Sequence, residues 1–311
     1  PLSLGPMAYY MGRGSVSRHQ RALLSDADVV LLIGNRTNQN GTDSWQLYPP
    51  KARYIHIDID GEEIGRNYEA LRLVGDARAT VEALTAACLA AGPAKRKAAR
   101  PALEQKIAAG KALDRAAMNP AGKLRPERLM AELDRRLTAD TIVVADASYA
   151  SVWACNNRTA RKVGARFLSP RGLAGLGWGL PLATGAKLAA PQRPVVAIVG
   201  DGGFAHAWSE LETVRRLELS IVTIVLNNQV LGYERDYEQV AFGGYSNACD
   251  LGPVDHAAIG RACGCAGLRV EIAEAIGPAL DAALAEKRPV VLDVMVDANA
   301  FPPLTGFDGK L

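Results

Sequence analysis

The sequence predicts an α/β protein made of two doubly wound domains with mainly parallel sheets. Three observations carry that prediction. Short runs of Val, Ile and Leu end at glycine or acidic residues, helix-like stretches separate them, and 49% of the 311 residues are hydrophobic, enough to bury two cores. The 36 basic and 33 acidic residues leave a net charge of only +3, too little to argue for nucleic acid or a charged membrane surface as partner. No apolar run approaches the roughly 20 residues that span a bilayer, and no charged leader opens the chain, so a cytoplasmic location is expected. The five cysteines, Cys88, Cys155, Cys249, Cys263 and Cys265, are scattered and odd in number, as reduced thiols would be. Cys263 and Cys265 lack a second Cys or His pair at zinc-ligand spacing, which leaves them a packing role.

Residues 28–33 (DVVLLI) and 53–59 (RYIHIDI) read as buried parallel strands, and 62–70 and 79–91 as helices, giving a first domain over 1–92. The chain opens at Pro1 and enters patterned sequence at once, so this domain is expected to be incomplete. Residues 93–125 are rich in Ala, Lys and Arg and are punctuated by Pro93, Pro101, Pro120 and Gly122, as an interdomain linker would be. Its basic cluster, Lys95, Arg96, Lys97 and Arg100, reads as a solvated face. A second domain over 126–311 follows: helix 126–137, strand 141–145, a small-residue turn, and helical sequence after Pro181. Strand 195–199 (VVAIV), helix 207–217 and strand 221–226 (IVTIVL) then form a βαβ crossover, and helices at 255–264 and 273–286 with strand 289–296 complete the domain. The last segment, 300–311, reads as either a lid or a tail.

The chemistry concentrates in the crossover. Its two strands point the same way, so Asp201 and Asn228 emerge together at the carboxyl edge, where open α/β sheets bind ligands. A carboxylate, an amide oxygen and a nearby main-chain carbonyl are the hard oxygen donors that magnesium prefers, with phosphate oxygens and water filling the remaining positions. Gly202 and Gly203 lack Cβ atoms, so a phosphate can approach their amides at the start of the next helix. His206 and Glu210, further along, read as packing or capping residues, and His56 in the strand HIDID as a satisfied sheet residue.

Gly200-Asp201-Gly202, then 24 intervening residues, then Asn227-Asn228, closely resembles the binding motif of thiamine diphosphate (ThDP) dependent enzymes. The resemblance implies that Asp201 and Asn228 bind Mg2+ through their side chains and Val230 through its main-chain carbonyl, while Leu231, Gly232 and Tyr233 line the cofactor. It extends over nearly the whole chain, to the acetolactate synthase and 2-oxo acid decarboxylase family. Residues 172–186 (GLAGLGWGLPLATGA) resemble the segment that holds ThDP in its bent shape. Leu176 would support the bend, which brings the pyrimidine 4′-nitrogen beside the thiazolium C2, and the Ala174 carbonyl would hold the 4′-amino group. Residues 146–153 (DASYASVW) resemble the first diphosphate loop, which makes Ala147, Ser148, Tyr149 and Ala150 cofactor contacts.

The sequence also departs from acetolactate synthases. Ser148-Tyr149-Ala150 replaces their Gly-Gln-His, Tyr233 stands where Met is common, and Tyr237 stands where a substrate-selecting Trp is found. Residues 1–90 resemble the rear of the family's central domain through HIDID at 56–60, EEIGRN at 62–67 and VGDA at 74–77. FAD, which that domain holds in acetolactate synthases, stays open here, because Arg36-Thr37-Asn38-Gln39-Asn40 replaces Arg-Phe-Asp-Asp. No segment resembles the pyrimidine-binding domain that supplies the activating glutamate. The resemblance therefore implies a second polypeptide carrying that domain, a dimer or tetramer as the assembled enzyme, and an isolated chain without turnover. The expected reaction is decarboxylation or carboligation of a 2-oxo acid. Two alternatives stand beside it: a 2-hydroxyacyl-CoA lyase or oxalyl-CoA decarboxylase type of C–C lyase, and a non-catalytic cofactor-binding or regulatory module.

Overall fold

The structure, a computed structural model, describes residues 19, 21–92, 99–117, 124–162, 164, 166–170 and 172–302. They fall into two compact units, one reaching Ala117 and one reaching Pro302. Lys95, Arg96 and Lys97 of the basic cluster, and residues 303–311 of the final segment, lie outside the described residues. Among the described residues no helix is long and apolar enough to cross a membrane.

The first unit holds α1 (Ala22–Ser25), β1 (Val29–Ile33), β2 (Arg53–Asp58), β3 (Leu71–Val74), α2 (Ala77–Ala90) and α3 (Arg100–Ala117). Its strands form a parallel sheet in the order β1-β2-β3. Asp76 caps α2 by accepting a hydrogen bond from the Ala79 amide at 2.9 Å, satisfying one of the amides left open at a helix start. Three expectations are corrected here. Residues 62–70 form turns rather than a helix, and the chain then enters β3. The segment read as a linker with short helical stretches holds the 18-residue α3, whose Pro101 sits at the helix start, where its missing N–H costs nothing. β1 is not fully buried as expected: Val29, Leu31 and Ile33, which share one face of the strand, stay 41–44% exposed because nothing among the described residues covers that face. His56 is buried in β2, but its Nε2 has no hydrogen-bond partner among the described residues, so it is not a satisfied sheet residue.

The second unit runs α4 (Pro126–Arg136), β4 (Ile142–Ala145), α5 (Tyr149–Asn157), β5 (Phe167–Leu168), α6 (Gly179–Ala189), β6 (Val195–Gly200), α7 (Asp201–Ala205), α8 (Glu210–Arg216), β7 (Ile221–Asn227), α9 (Gly232–Phe242), α10 (His256–Ala262), β8 (Ala266–Val270), α11 (Ile276–Ala285) and β9 (Val290–Met295). The sheet order is β5-β4-β6-β7-β9-β8 and every pairing is parallel. β5 and β6 lie on opposite sides of β4, so the winding reverses beside β4. That reversal opens a crevice at the carboxyl ends of β4 and β6. One face of the sheet is packed by Ile142 and Val144 of β4, Val195, Ala197 and Val199 of β6, and Ile221 and Val225 of β7. Leu180 and Ala183 of α6 and Leu211 and Val214 of α8 close over them. Each of the Val, Leu and Ile side chains contributes about 1.5–3 kcal/mol when fully buried, which helps hold the strand ends in place.

Two more corrections fall in this unit. The helix expected at 207–217 is α8, which starts only at Glu210, and a separate short helix that was not expected, α7, opens directly at Asp201. The small-residue turn expected after β4 is mostly α5, all nine of whose residues are buried.

Leu292, fully buried in the middle of β9, gives a direct test of this core. Leu292→Ala should lower unfolding stability by about 2–5 kcal/mol in urea titration, as expected for a cavity left in a packed interior. An unchanged midpoint would contradict the burial described.

Candidate functional site

The crevice beside β4 is a cleft partly open to solvent, with a cavity volume of about 50 Å3. Its floor is the strand ends, and its walls are the starts of α5, α7 and α9. The structure brings Ala147, Ser148, Tyr149, Ala150, Leu176, Gly200, Asp201, Gly202, Gly203, Asn228, Val230, Leu231 and Gly232 to its lining. Of the predicted cofactor residues, Ala174 and Tyr233 do not line it. Ala174 is exposed on the segment that carries Leu176, and the Tyr233 ring packs edge-on against Tyr149 with centroids 5.8 Å apart.

Asp201 is 5% exposed. Its Oδ1 accepts from the Gly202 amide at 2.9 Å and its Oδ2 from the Gln229 amide at 2.6 Å. Among the described residues no Lys or Arg forms an ion pair with it. Burial pushes its carboxyl up to about 6, and the amide hydrogen bonds offset only part of that cost. A buried carboxylate with no cationic partner, beside an amide oxygen in the same cleft, is a donor set that a divalent cation would complete. Asn228 Oδ1 accepts from the Val230 amide at 3.3 Å. The loop that carries Val230 is pinned on both sides, since Leu231 donates to the Cys249 carbonyl at 2.8 Å and Leu251 to the Gln229 carbonyl at 2.9 Å.

The glycines have a second purpose that the motif does not reveal. A Cβ on Gly202 would come 2.5 Å from Leu231 Cδ2, and one on Gly203 would come 2.3 Å from Asp146 Oδ2. Their absent side chains let α7 touch the loop after β7 and the end of β4. Gly232 is pressed in the same way against the ring of Tyr149, at 3.0 Å.

Sequence reasoning missed several residues here. Asp146, 1% exposed, accepts amide hydrogen bonds across the cleft base. Its signal was available, because it ends an apolar strand (TIVVAD) as Asp201 nearly does (VVAIVGD). Trp153, Glu234 and Asp297 also line the cleft, and Tyr149 donates its hydroxyl to Asp236 at 2.8 Å, a contact that joins α5 to α9. Burial and that carboxylate both raise the pKa of Tyr149, so the phenol stays protonated. His206 is exposed and makes no part of the lining, and Glu210 opens α8.

An all-parallel doubly wound unit, with a cation-deficient carboxylate and tightly packed glycines at its switch point, defines a class: enzymes that hold an anionic cofactor at the strand ends. Comparison with known proteins narrows it. Residues 146–294 match the thiamine pyrophosphate enzyme C-terminal TPP binding domain, and residues 1–84 match the thiamine pyrophosphate enzyme central domain. The chain belongs to the thiamine pyrophosphate enzymes, in the family of acetolactate synthases and 2-oxo acid decarboxylases. It is 29% identical to a probable acetolactate synthase large subunit of Methanocaldococcus jannaschii, over all of this chain and 52% of that protein. It is 35% identical to a probable 2-ketoarginine decarboxylase of Pseudomonas aeruginosa, over 78% of this chain and 42% of that protein. It is 28% identical to a sulfoacetaldehyde acetyltransferase of Castellaniella defragrans, over 95% and 53%. The chain spans about half the length of the curated relatives it matches.

Ser148 stands at φ 61°, ψ −148°, a region that is nearly glycine-only and costs of order 1–3 kcal/mol for other residues. Ser148→Gly should therefore raise unfolding stability by about 1 kcal/mol, after the larger entropy of the unfolded glycine chain is allowed for. Denaturant midpoints would measure the gain, and a loss would show that the serine side chain stabilises the turn more than its conformation costs.

Proposed function

We propose that the protein catalyses ThDP- and Mg2+-dependent decarboxylation or carboligation of a 2-oxo acid, in the manner of an acetolactate synthase. The observation that carries this reading is the buried Asp201 carboxylate, without a cationic partner among the described residues and sharing a cleft with Asn228. Asp201, Asn228 and the Val230 carbonyl would hold Mg2+, and the amides at Gly203 and Ser148 to Ala150 would face the diphosphate. Leu176 lines the same cleft and would support the cofactor's thiazolium side. When bound, ThDP supplies a nucleophilic carbon and an electron sink for cleaving the bond beside a carbonyl. The chain's own part is to bind and orient that group and to exclude water around it.

The reading includes a pyrimidine-binding domain outside these 311 residues, supplying the activating glutamate in a dimeric or tetrameric assembly. Steady CO2 release from a 2-oxo acid by the 311-residue chain alone would contradict the shared-site part of the proposal.

A second reading, decarboxylation of a 2-oxo acid with a cationic side chain, is favoured by Glu234. This residue lines the cleft, and its buried Oε2 has no hydrogen-bond partner among the described residues. The similarity to a probable 2-ketoarginine decarboxylase points the same way. Turnover of a guanidinium-bearing 2-oxo acid in preference to pyruvate by the assembled enzyme would select this second reading.

Asp201→Ala removes the charged member of the metal set. It should abolish Mg2+-dependent ThDP binding in calorimetric titration while the far-ultraviolet dichroism stays that of the wild type. Unchanged affinity would refute the metal assignment. Removing Mg2+ with a chelator should reproduce the loss in the wild-type protein and leave the variant unaffected.

A further inference from the structure

Asp146 does not line the cleft, yet three segments that form the cleft converge on it. It follows the last residue of β4, is 1% exposed, and no Lys or Arg pairs with it among the described residues. Its hydrogen bonds all come from backbone amides. Oδ1 accepts from Ala147 at 2.9 Å and from Trp178 at 3.1 Å, and Oδ2 accepts from Gly177 at 3.0 Å. Ala147 opens the loop that leads into α5, and Gly177 and Trp178 directly follow Leu176.

The third segment meets it without a hydrogen bond. Oδ2 lies against Gly203, where a Cβ would approach to 2.3 Å. The same segment is pressed from its other side, because a Cβ on Gly177 (φ +89°) would sit 2.8 Å from His206 Cβ and 3.5 Å from the Gly203 carbonyl oxygen. A Cβ on Gly179 would stand 3.1 Å from Asp146 Cβ and 2.5 Å from Val199 Cγ1. The chain just after Leu176, from Gly177 to Gly179, is thus held between a carboxylate and the glycine turn, with no room for a Cβ at Gly177 or Gly179. Buried carboxylates are costly, and one satisfied only by amides persists where its geometry fixes something that matters.

We propose that Asp146 is a positioning residue that sets the place of Leu176 relative to Gly203, and thereby where the thiazolium side of ThDP rests once its diphosphate is seated. The inference rests on the cofactor reading above and assigns Asp146 no contact with the cofactor. Asp146→Asn keeps the shape but turns an NH2 towards a backbone N–H, so at least one of the three bonds is lost, most simply that from Gly177.

The test compares two ligands, ThDP with Mg2+ and inorganic diphosphate with Mg2+, titrated by calorimetry into the full protein. Asp146→Asn should weaken ThDP about tenfold and leave inorganic diphosphate within about twofold, because only ThDP reaches Leu176. In a Leu176→Ala background the Asp146 substitution should add little further loss, since the group it positions is gone. Gly177→Ala, which pushes the same segment from the His206 side, should show the same split between ligands and keeps the test open if the Asp146 variant does not fold. Equal weakening of both ligands, or full additivity with Leu176→Ala, overturns the proposal in favour of a purely structural carboxylate. Wild-type binding of ThDP with no change in Asp146→Asn overturns this inference alone, whereas a wild-type protein that binds neither ligand overturns the cofactor reading and this inference together.

Discussion

The site depends on the parallel pairing of β6 with β7. Their register sets Gly200 opposite Leu226, so the residues after each strand leave the sheet at the same level and on the same edge. Antiparallel pairing of the same two strands would send Asp201 and Asn228 to opposite ends of the domain. The crossover also divides the two asparagines between different tasks. The Asn227 side chain is used by the fold, donating to Asp293 and to the Val254 carbonyl, each at 3.0 Å. Asp293 is itself fully buried and accepts from the His256 amide and from Arg269. With Asn227 anchored in that network, Asn228 is the one left facing the cleft.

The same economy appears on the other side of β6. Asp201 and Asp146 are both buried carboxylates at strand ends, both raised in pKa by burial and both supplied with amide hydrogen bonds. They differ in what surrounds them. Asp201 borders open space and shares it with an amide oxygen, whereas Asp146 is enclosed by backbone. One is therefore suited to a ligand and the other to holding chain segments together.

Much of the second unit was legible because its central strands are buried on both faces and read as nearly continuous apolar runs, as β4 and β6 do and as β7 and β9 do apart from Thr223 and Asp293. Elements that broke this rule were not legible. All nine residues of α5 are buried, so the helix has no polar face to produce a 3.6-residue period, and its sequence reads as a loop. β8 (AGLRV) and β3 (LRLV) are short, and each carries an arginine within its run. α9 mixes charge and aromatic rings over Gly232–Phe242, which blurs its helical period. At the site, the motif spacing located Asp201 and Asn228. Asp146 opens the segment DASYASVW at the end of an apolar strand, but its contacts with Gly177 and Gly203, at positions far from it in sequence, cannot be read there. Side-chain contacts of that kind have no sequence period to betray them.

The central claim is that Asp201, Asn228 and Val230 form one cation site beside a diphosphate cradle. Crystals of the protein grown with ThDP and Mn2+ in place of Mg2+ would test it by anomalous scattering. The account predicts a single strong manganese peak within coordination distance of an Asp201 carboxylate oxygen, Asn228 Oδ1 and the Val230 carbonyl, with diphosphate density over Gly202 and Gly203. Diphosphate density with the manganese peak on other ligands, or ThDP seated away from the β6 and β7 strand ends, would contradict it.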